Sequence, residues 1–223
     1  NNNPKNPIIN TRSFGEDPDS VNRYSVEFIR GLHDNGMLAT AKHFPGHGDT
    51  ATDSHLGLPV IEKTKAELLE TELYPFQKLI DEGVDSVMVG HLSVPALTTS
   101  PELPSSINKD IITGVLRHEM GFDGVVISDA LNMHAVSKNY PTKGELEWLA
   151  FNAGNDVLCF AEHIEEGIQC ILKNASEAQI NKSIERIWKL KAKAISEVDS
   201  TLELTDPSAL NKQIAERSIT LHN

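Results

Sequence analysis

Apolar positions along the chain fall into two patterns, short continuous runs and longer stretches with helical spacing. Val21, Tyr24, Phe28 and Leu32 recur at helical spacing, which predicts a helix capped by Asp19 or Ser20, running to about Asp34 and ended by Gly36. Residues 37–44 then read as a strand, and residues 45–59 as a long loop of Gly, His and Asp. Residues 64–82 have a helical pattern that Pro75 must break or kink, because proline lacks the backbone donor. Residues 84–90 form a short apolar run of the buried-strand kind.

The order then repeats. Residues 108–120 predict a helix, 124–128 a strand, 144–153 a helix and 156–160 a strand, with helices over 163–172, 177–196 and about 208–218. Four apolar strands, each followed by a polar loop and then a helix, imply a parallel sheet covered by helices. The pattern alone fits an open doubly wound sheet or part of a (β/α)8 barrel. In both, ligands sit where polar loops leave the carboxyl ends of the strands.

Composition narrows the partners. The formal net charge of -12 argues against nucleic acid and against an anionic membrane surface, since both need a basic face. No run of about 18 apolar residues is present, so no membrane insertion is expected. Cys159 and Cys170 have neither a disulfide framework nor metal-type spacing, and Cys159 reads as a buried small hydrophobe. The chain opens on three asparagines and closes on an apolar, strand-like start, which reads as a segment of a longer protein.

Two loops carry the candidate chemistry. Residues 42–55 gather one lysine, three histidines and two aspartates at a strand end and its loop. A core strand does not ordinarily end in Lys42-His43, because buried charge needs a partner. One reading is a metal site drawn from His43, His47, Asp49, Asp53 and His55, although Pro45 and Gly46 deny these residues the helical spacing of familiar metal motifs. The other is acid/base catalysis by His55, with Asp53 two residues earlier able to fix the tautomer of the ring. In the second loop Asp129 stands just past an apolar strand, where packing calls for no acid. A nucleophilic carboxylate aimed at the mouth of the sheet fits that position, against the alternative of a cap or salt-bridge acid. Asp17, in Gly-Glu-Asp-Pro, reads as a turn or helix-cap acid.

Thr11-Arg-Ser-Phe-Gly-Glu-Asp-Pro18, Lys42-His-Phe-Pro-Gly-His-Gly-Asp-Thr50, Asp53-Ser-His55 and Ser128-Asp-Ala-Leu-Asn-Met133 together resemble glycoside hydrolase family 3, within it the bacterial β-N-acetylglucosaminidase branch. The resemblance implies an α/β fold, a parallel (β/α)8 TIM-type barrel that is incomplete here because its first strands are not in the chain. Residues 1–205 would be the C-terminal part of that catalytic domain and 206–223 a lead-in to a second domain. It implies Asp129 as nucleophile, His55 as acid/base, Asp53 as its partner, and Arg12, Lys42 and His43 as substrate-binding residues, with no cofactor and no metal.

The implied activity is retaining removal of terminal β-linked N-acetylglucosamine from muropeptide or chito-oligosaccharide substrates. Phosphorolysis of the same bond and a non-catalytic sugar-binding fragment are the alternatives. Implied partners are the carbohydrate, the absent barrel strands and a C-terminal domain of the same parent. The glycines at 46, 48 and 57 further suggest that His55 swings in when sugar binds. No compartment is assigned, bacterial cytoplasm and cell envelope fitting equally.

Overall fold

The computed structural model describes residues 3–9, 12–50, 57–196 and 206–218. Helix α1 (Pro18–His33) begins after Asp17, whose carboxylate accepts the Ser20 N–H at 2.8 Å. Asp17 is therefore the cap, in place of Asp19 or Ser20. Pro18 takes the first helical position, where its missing N–H costs no bond. Gly36, at φ 67°, follows the C-cap Asp34. The buried residues of α1 are Asn22, Ser25 and Ile29, whereas Tyr24 and Phe28 of the predicted stripe are exposed.

Three strands, β1 (Thr40–Phe44), β2 (Ser86–Val89) and β3 (Val125–Ser128), pair in parallel in the order β1-β2-β3. Thr40 lies opposite Ser86, and Ser86 opposite Val125. Helices α2 (Lys65–Glu70) and α3 (Leu73–Asp81) connect β1 to β2, and a wide-turned π-helix (Asp110–Glu119) connects β2 to β3. After β3 come α4 (Glu145–Ala153), α5 (Ile164–Asn174), α6 (Glu177–Ser196) and α7 (Ser208–Ser218). This is the expected parallel α/β arrangement, one part of a barrel-type fold.

Three expectations are refined. The long helix breaks at Thr71 and Glu72, ahead of Pro75, because it is the Thr71 carbonyl that loses its i+4 donor to the proline ring. The 108–120 helix is wound as a π-helix over Asp110–Glu119, with i→i−5 bonds such as the Met120 N–H to the Val115 carbonyl at 2.9 Å. The fourth predicted strand is reduced to one bridge, Ile127 to Val157. Val157 and Phe160 face outward there and Cys159 is half-exposed, so Cys159 is not the buried hydrophobe expected. Among the described residues this segment has a hydrogen-bonded neighbour on one side only.

The core between sheet and helices is built on Phe44, Leu68, Val87, Val89, Ile111, Ile112 and Leu116. Phe44 meets Phe76 of α3 edge-on with ring centroids 5.2 Å apart.

Beneath the amino ends of the strands lie two buried carboxylates. Asp85 accepts from the Ala39 N–H at 2.8 Å, from Lys193 Nζ at 2.6 Å, and lies 2.8 Å from His33 Nε2. Asp156 accepts from the Val126 N–H at 2.9 Å and from Arg117 Nη2 at 2.7 Å, with Arg186 Nη1 at 3.4 Å. Arg117 also donates to the carbonyls of Phe122 and Gly124 at 3.2 and 2.6 Å. Burial lowers the Arg117 guanidinium, and Asp156 is the strongest influence opposing that. For Asp85, burial by itself would raise the carboxyl. The bonds from Lys193, Ala39 and His33 more than offset it and hold it below the usual value.

Removing Asp156 leaves the Arg117 charge buried without its partner, so Asp156→Ala in the full-length protein lowers unfolding free energy by about 3–5 kcal/mol. Lys193→Ala, at a side chain 40% exposed, costs less than about 1 kcal/mol. Denaturant unfolding checks the ranking, and equal losses would contradict it. Because the Asp85 pKa is lowered on folding, its contribution is complete above the unfolded value of about 4 and disappears as pH falls through the folded one. Asp85→Asn therefore flattens the acid limb of the stability profile, measured as the unfolding midpoint between pH 5 and pH 2.

Candidate active site

At the opposite, carboxyl end of the sheet, β1 closes on Lys42, His43 and Phe44. Lys42 is exposed and His43 buried. The peptide bonds Lys42–His43 and Phe44–Pro45 are both cis, and pairing with β2 skips His43. The chain then turns through Gly46, at φ 136°, where a Cβ would come within 2.6 Å of the Glu72 side chain. Only glycine allows this approach.

The stem of the loop is tied down by polar side chains. Asn6 donates to the His47 carbonyl at 2.6 Å and to Thr50 Oγ1 at 3.3 Å, and His47 Nδ1 lies 2.8 Å from that same hydroxyl. Lys63 bridges Glu72 and Asp49, the latter at 3.0 Å. Burial alone would lower the Lys63 ammonium, and the two carboxylates outweigh it and raise it.

The second predicted loop leaves β3 at Ser128. Asp129 is half-buried, its N–H bonded to the Val89 carbonyl of β2 at 2.9 Å. One oxygen of its carboxylate accepts the Ala130 N–H at 2.8 Å. The segment is secured on the far side by Ser128 N–H to Val157 O and Leu131 N–H to Cys159 O, both 2.9 Å. Among the described contacts Asp129 is in no ion pair, and its carboxylate accepts the adjoining Ala130 N–H.

His43 is the group through which the two loops act on each other. Burial lowers its pKa to about 4, the Asp129 charge being the main influence in the other direction, while Lys42, His47 and Arg12 add to the lowering. Its ring meets that of His47 edge-on at 5.8 Å. Among the described residues its Nδ1 is buried with no hydrogen-bond partner. Arg12, Lys42, His43 and His47 line one cavity of about 490 Å³ that continues along the open edge of β1. Farther along, the walls become apolar through Leu38, Phe28, Ile29, Phe76 and Leu79.

Of the candidate residues, Arg12, Lys42 and His43 line the cavity, and Asp129 acts electrostatically on His43. Asp53 and His55 lie outside the described residues. Of the metal alternative, Asp49 is bonded to Lys63 and His47 to Thr50, and among the described residues no group of three or more His, Cys, Asp or Glu side chains could hold an ion. Among those residues no helix is long and apolar enough to cross a membrane. Sequence reasoning passed over Asn6, Lys63, Glu72 and His91. Of these only His91 carried a signal, as a polar residue directly ending an apolar run.

A parallel α/β sheet with Lys42, His43 and Asp129 converging at its carboxyl end is the arrangement of a barrel-type protein whose ligand site lies at that face. Residues 1–190 match the N-terminal domain of glycosyl hydrolase family 3, and the chain belongs to that family. Over 99% of its length it is 32% identical to beta-hexosaminidase A of Pseudoalteromonas piscicida, covering 42% of that protein. A glycoside hydrolase family 3 β-N-acetylglucosaminidase from Paenibacillus sp. str. FPU-7 superposes with a TM-score of 0.89 at 37% identity, over 98% of this chain and 44% of that one. A β-glucoside phosphorylase superposes at 0.82 with 27% identity, over 91% and 38%. The chain therefore spans less than half the length of these relatives.

Since the buried His43 ring is held neutral, its signals in an NMR titration move near pH 4 and stay still through pH 6–7. Asp129→Asn removes the charge that favours the imidazolium, so the transition moves lower. The unfolded chain binds this proton at about pH 6.5, so the site withdraws stability as pH falls from there to about 4. A His43 transition near pH 6.5 would contradict the assignment.

Proposed function

We propose that the protein is a retaining β-N-acetylhexosaminidase that removes terminal β-linked N-acetylglucosamine, with muropeptides or chito-oligosaccharides as substrates. The carrying observation is the buried Nδ1 of His43, unpaired among the described residues, in the same cavity as Lys42 and Arg12 and under the field of Asp129. An unmet buried polar atom costs about 1–3 kcal/mol. A sugar hydroxyl would satisfy it, and a neutral imidazole can accept from or donate to a hydroxyl. The names of the family relatives support the same substrate class.

In this reading Asp129 attacks the anomeric carbon while His55, oriented by Asp53, protonates the leaving oxygen. A covalent glycosyl-Asp129 forms. Neutral His55 then takes a proton from water, the hydroxide oxygen bonds to the anomeric carbon, and the sugar departs with its β configuration retained. Residues 1–205 form the C-terminal part of the catalytic barrel and 206–223 the lead-in to a further domain. The apolar stretch of the cavity beside β1 receives barrel strands supplied by the rest of the parent protein.

Phosphorolysis is the second reading. It is favoured by the likeness to a β-glucoside phosphorylase and by two cationic side chains, Arg12 and Lys42, at the cavity.

The full-length protein cleaves an aryl β-N-acetylglucosaminide and spares the matching β-glucoside. Asp129→Ala abolishes turnover, and His55→Ala lowers it about 10²- to 10⁴-fold. Turnover unchanged in Asp53→Ala would remove the dyad. A rate that depends on phosphate, with sugar 1-phosphate as product, would replace hydrolysis by phosphorolysis. Sugar binding without cleavage would leave only the non-catalytic reading.

A further inference from the structure

We infer that His91 is a positioning residue for Asp129, acting through the Ala130 carbonyl; the inference rests on the proposed role of Asp129. His91 lies two residues past β2 and is wholly buried, as is Ser106. Its Nε2 is 2.9 Å from the Ala130 carbonyl oxygen and its Nδ1 2.7 Å from Ser106 Oγ. A carbonyl can only accept, so Nε2 carries the proton, and in the neutral ring Nδ1 takes the Ser106 hydroxyl proton. Ser106 is itself anchored, because its carbonyl accepts the side-chain amide of the buried Asn155 at 2.8 Å.

This chain of bonds ends at the candidate nucleophile. The Ala130 N–H holds one oxygen of the Asp129 carboxylate at 2.8 Å, and the Asp129 N–H is held by Val89 of β2 at 2.9 Å. The carbonyl end of β2 and its extension therefore grip Asp129 from both sides, Val89 at its own amide and His91 at the following residue. Without the Nε2 proton, the Ala130 carbonyl keeps the Met133 N–H at 3.1 Å, a bond within its own turn, and loses its tie to the chain that extends β2. The turn that carries the Ala130 N–H is then anchored less firmly, and that N–H is a contact that orients the carboxylate. Packing alone would call for an apolar residue here, as at the equally buried Leu92 next door. An apolar side chain would break the link from Ser106 to the Ala130 carbonyl.

The test uses the full-length protein with an aryl β-N-acetylglucosaminide. Glutamine reaches as far as the imidazole Nε2 and can still donate to Ala130, whereas asparagine reaches only to the Nδ1 position. His91→Asn lowers kcat about 10- to 100-fold with KM within about twofold, per folded enzyme as counted by thermal unfolding. His91→Gln recovers most of the loss. A His91→Asn enzyme with wild-type kcat, or a His91→Gln enzyme as impaired as His91→Asn, overturns the inference. Asp129→Asn is assayed alongside. If it is dead while His91→Asn is fully active, the role of His91 alone fails. If Asp129→Asn turns over normally, or the wild type does not act on this sugar, the proposed function fails and takes the inference with it.

Discussion

The sheet depends on two buried carboxylates that do the same job at successive strands. Asp85 accepts the N–H of Ala39 on the way into β1, and Asp156 accepts the N–H of Val126 in β3. In each case an acid at the start of one strand pins the entry of the strand before it. Both acids need cations, and α6 supplies one to each: Arg186 to Asp156 and Lys193 to Asp85. Those residues are seven apart, close to two turns, so they lie on one face of the helix. A helix remote in sequence thereby spans the amino end of the sheet and fixes the spacing of its strands. The cost of desolvating Arg117 and Asp156 is offset only while both are in place, whereas the half-exposed Lys193 contributes less.

That rigid lower end lets the upper end hold groups that work against stability. His43 is buried and kept neutral, with a ring nitrogen unpaired among the described residues. Asp129 stands beyond its strand with a single N–H on its carboxylate among the described contacts. Neither arrangement improves packing, and both are tolerated because the core beneath them is one continuous apolar cluster. The loop stem follows the same logic. Lys63, Glu72 and Asp49 form a partly buried ion cluster beside Gly46, so the turn after β1 is set by charge as well as by glycine geometry.

Much of this was legible in the sequence for identifiable reasons. Parallel strands buried on both faces are near-continuous apolar runs, so β2 and β3 were visible, as was the order of strand, loop and helix. Lys42, His43 and Asp129 stood out because charge at the end of such a run has no packing use. The outward turn of residues 157–160 was not legible, since an apolar run does not say how many neighbours it has. The α1 stripe misled for a related reason: Tyr24 and Phe28 have helical spacing, but Asn22 and Ser25 are the residues turned inward. Nor could spacing reveal His91 or the Asp85 cluster, whose partners lie between 15 and 108 residues away.

The exposed apolar residues carry one further step of argument. Along the β1 edge Phe28 and Phe14 stand open beside the cavity, and at the other edge Val157, Phe160, Ile164, Ile168 and Leu172 do the same. Soluble proteins rarely leave two such surfaces uncovered. Exposed sheet edges are also a liability that proteins cover or eliminate. Continuation of the sheet past both edges until it meets itself answers both problems at once, because a closed barrel has no edge. The residues left bare on α1 are then the ones a neighbouring strand and helix would cover, which is why they keep an apolar spacing that the three strands alone do not use.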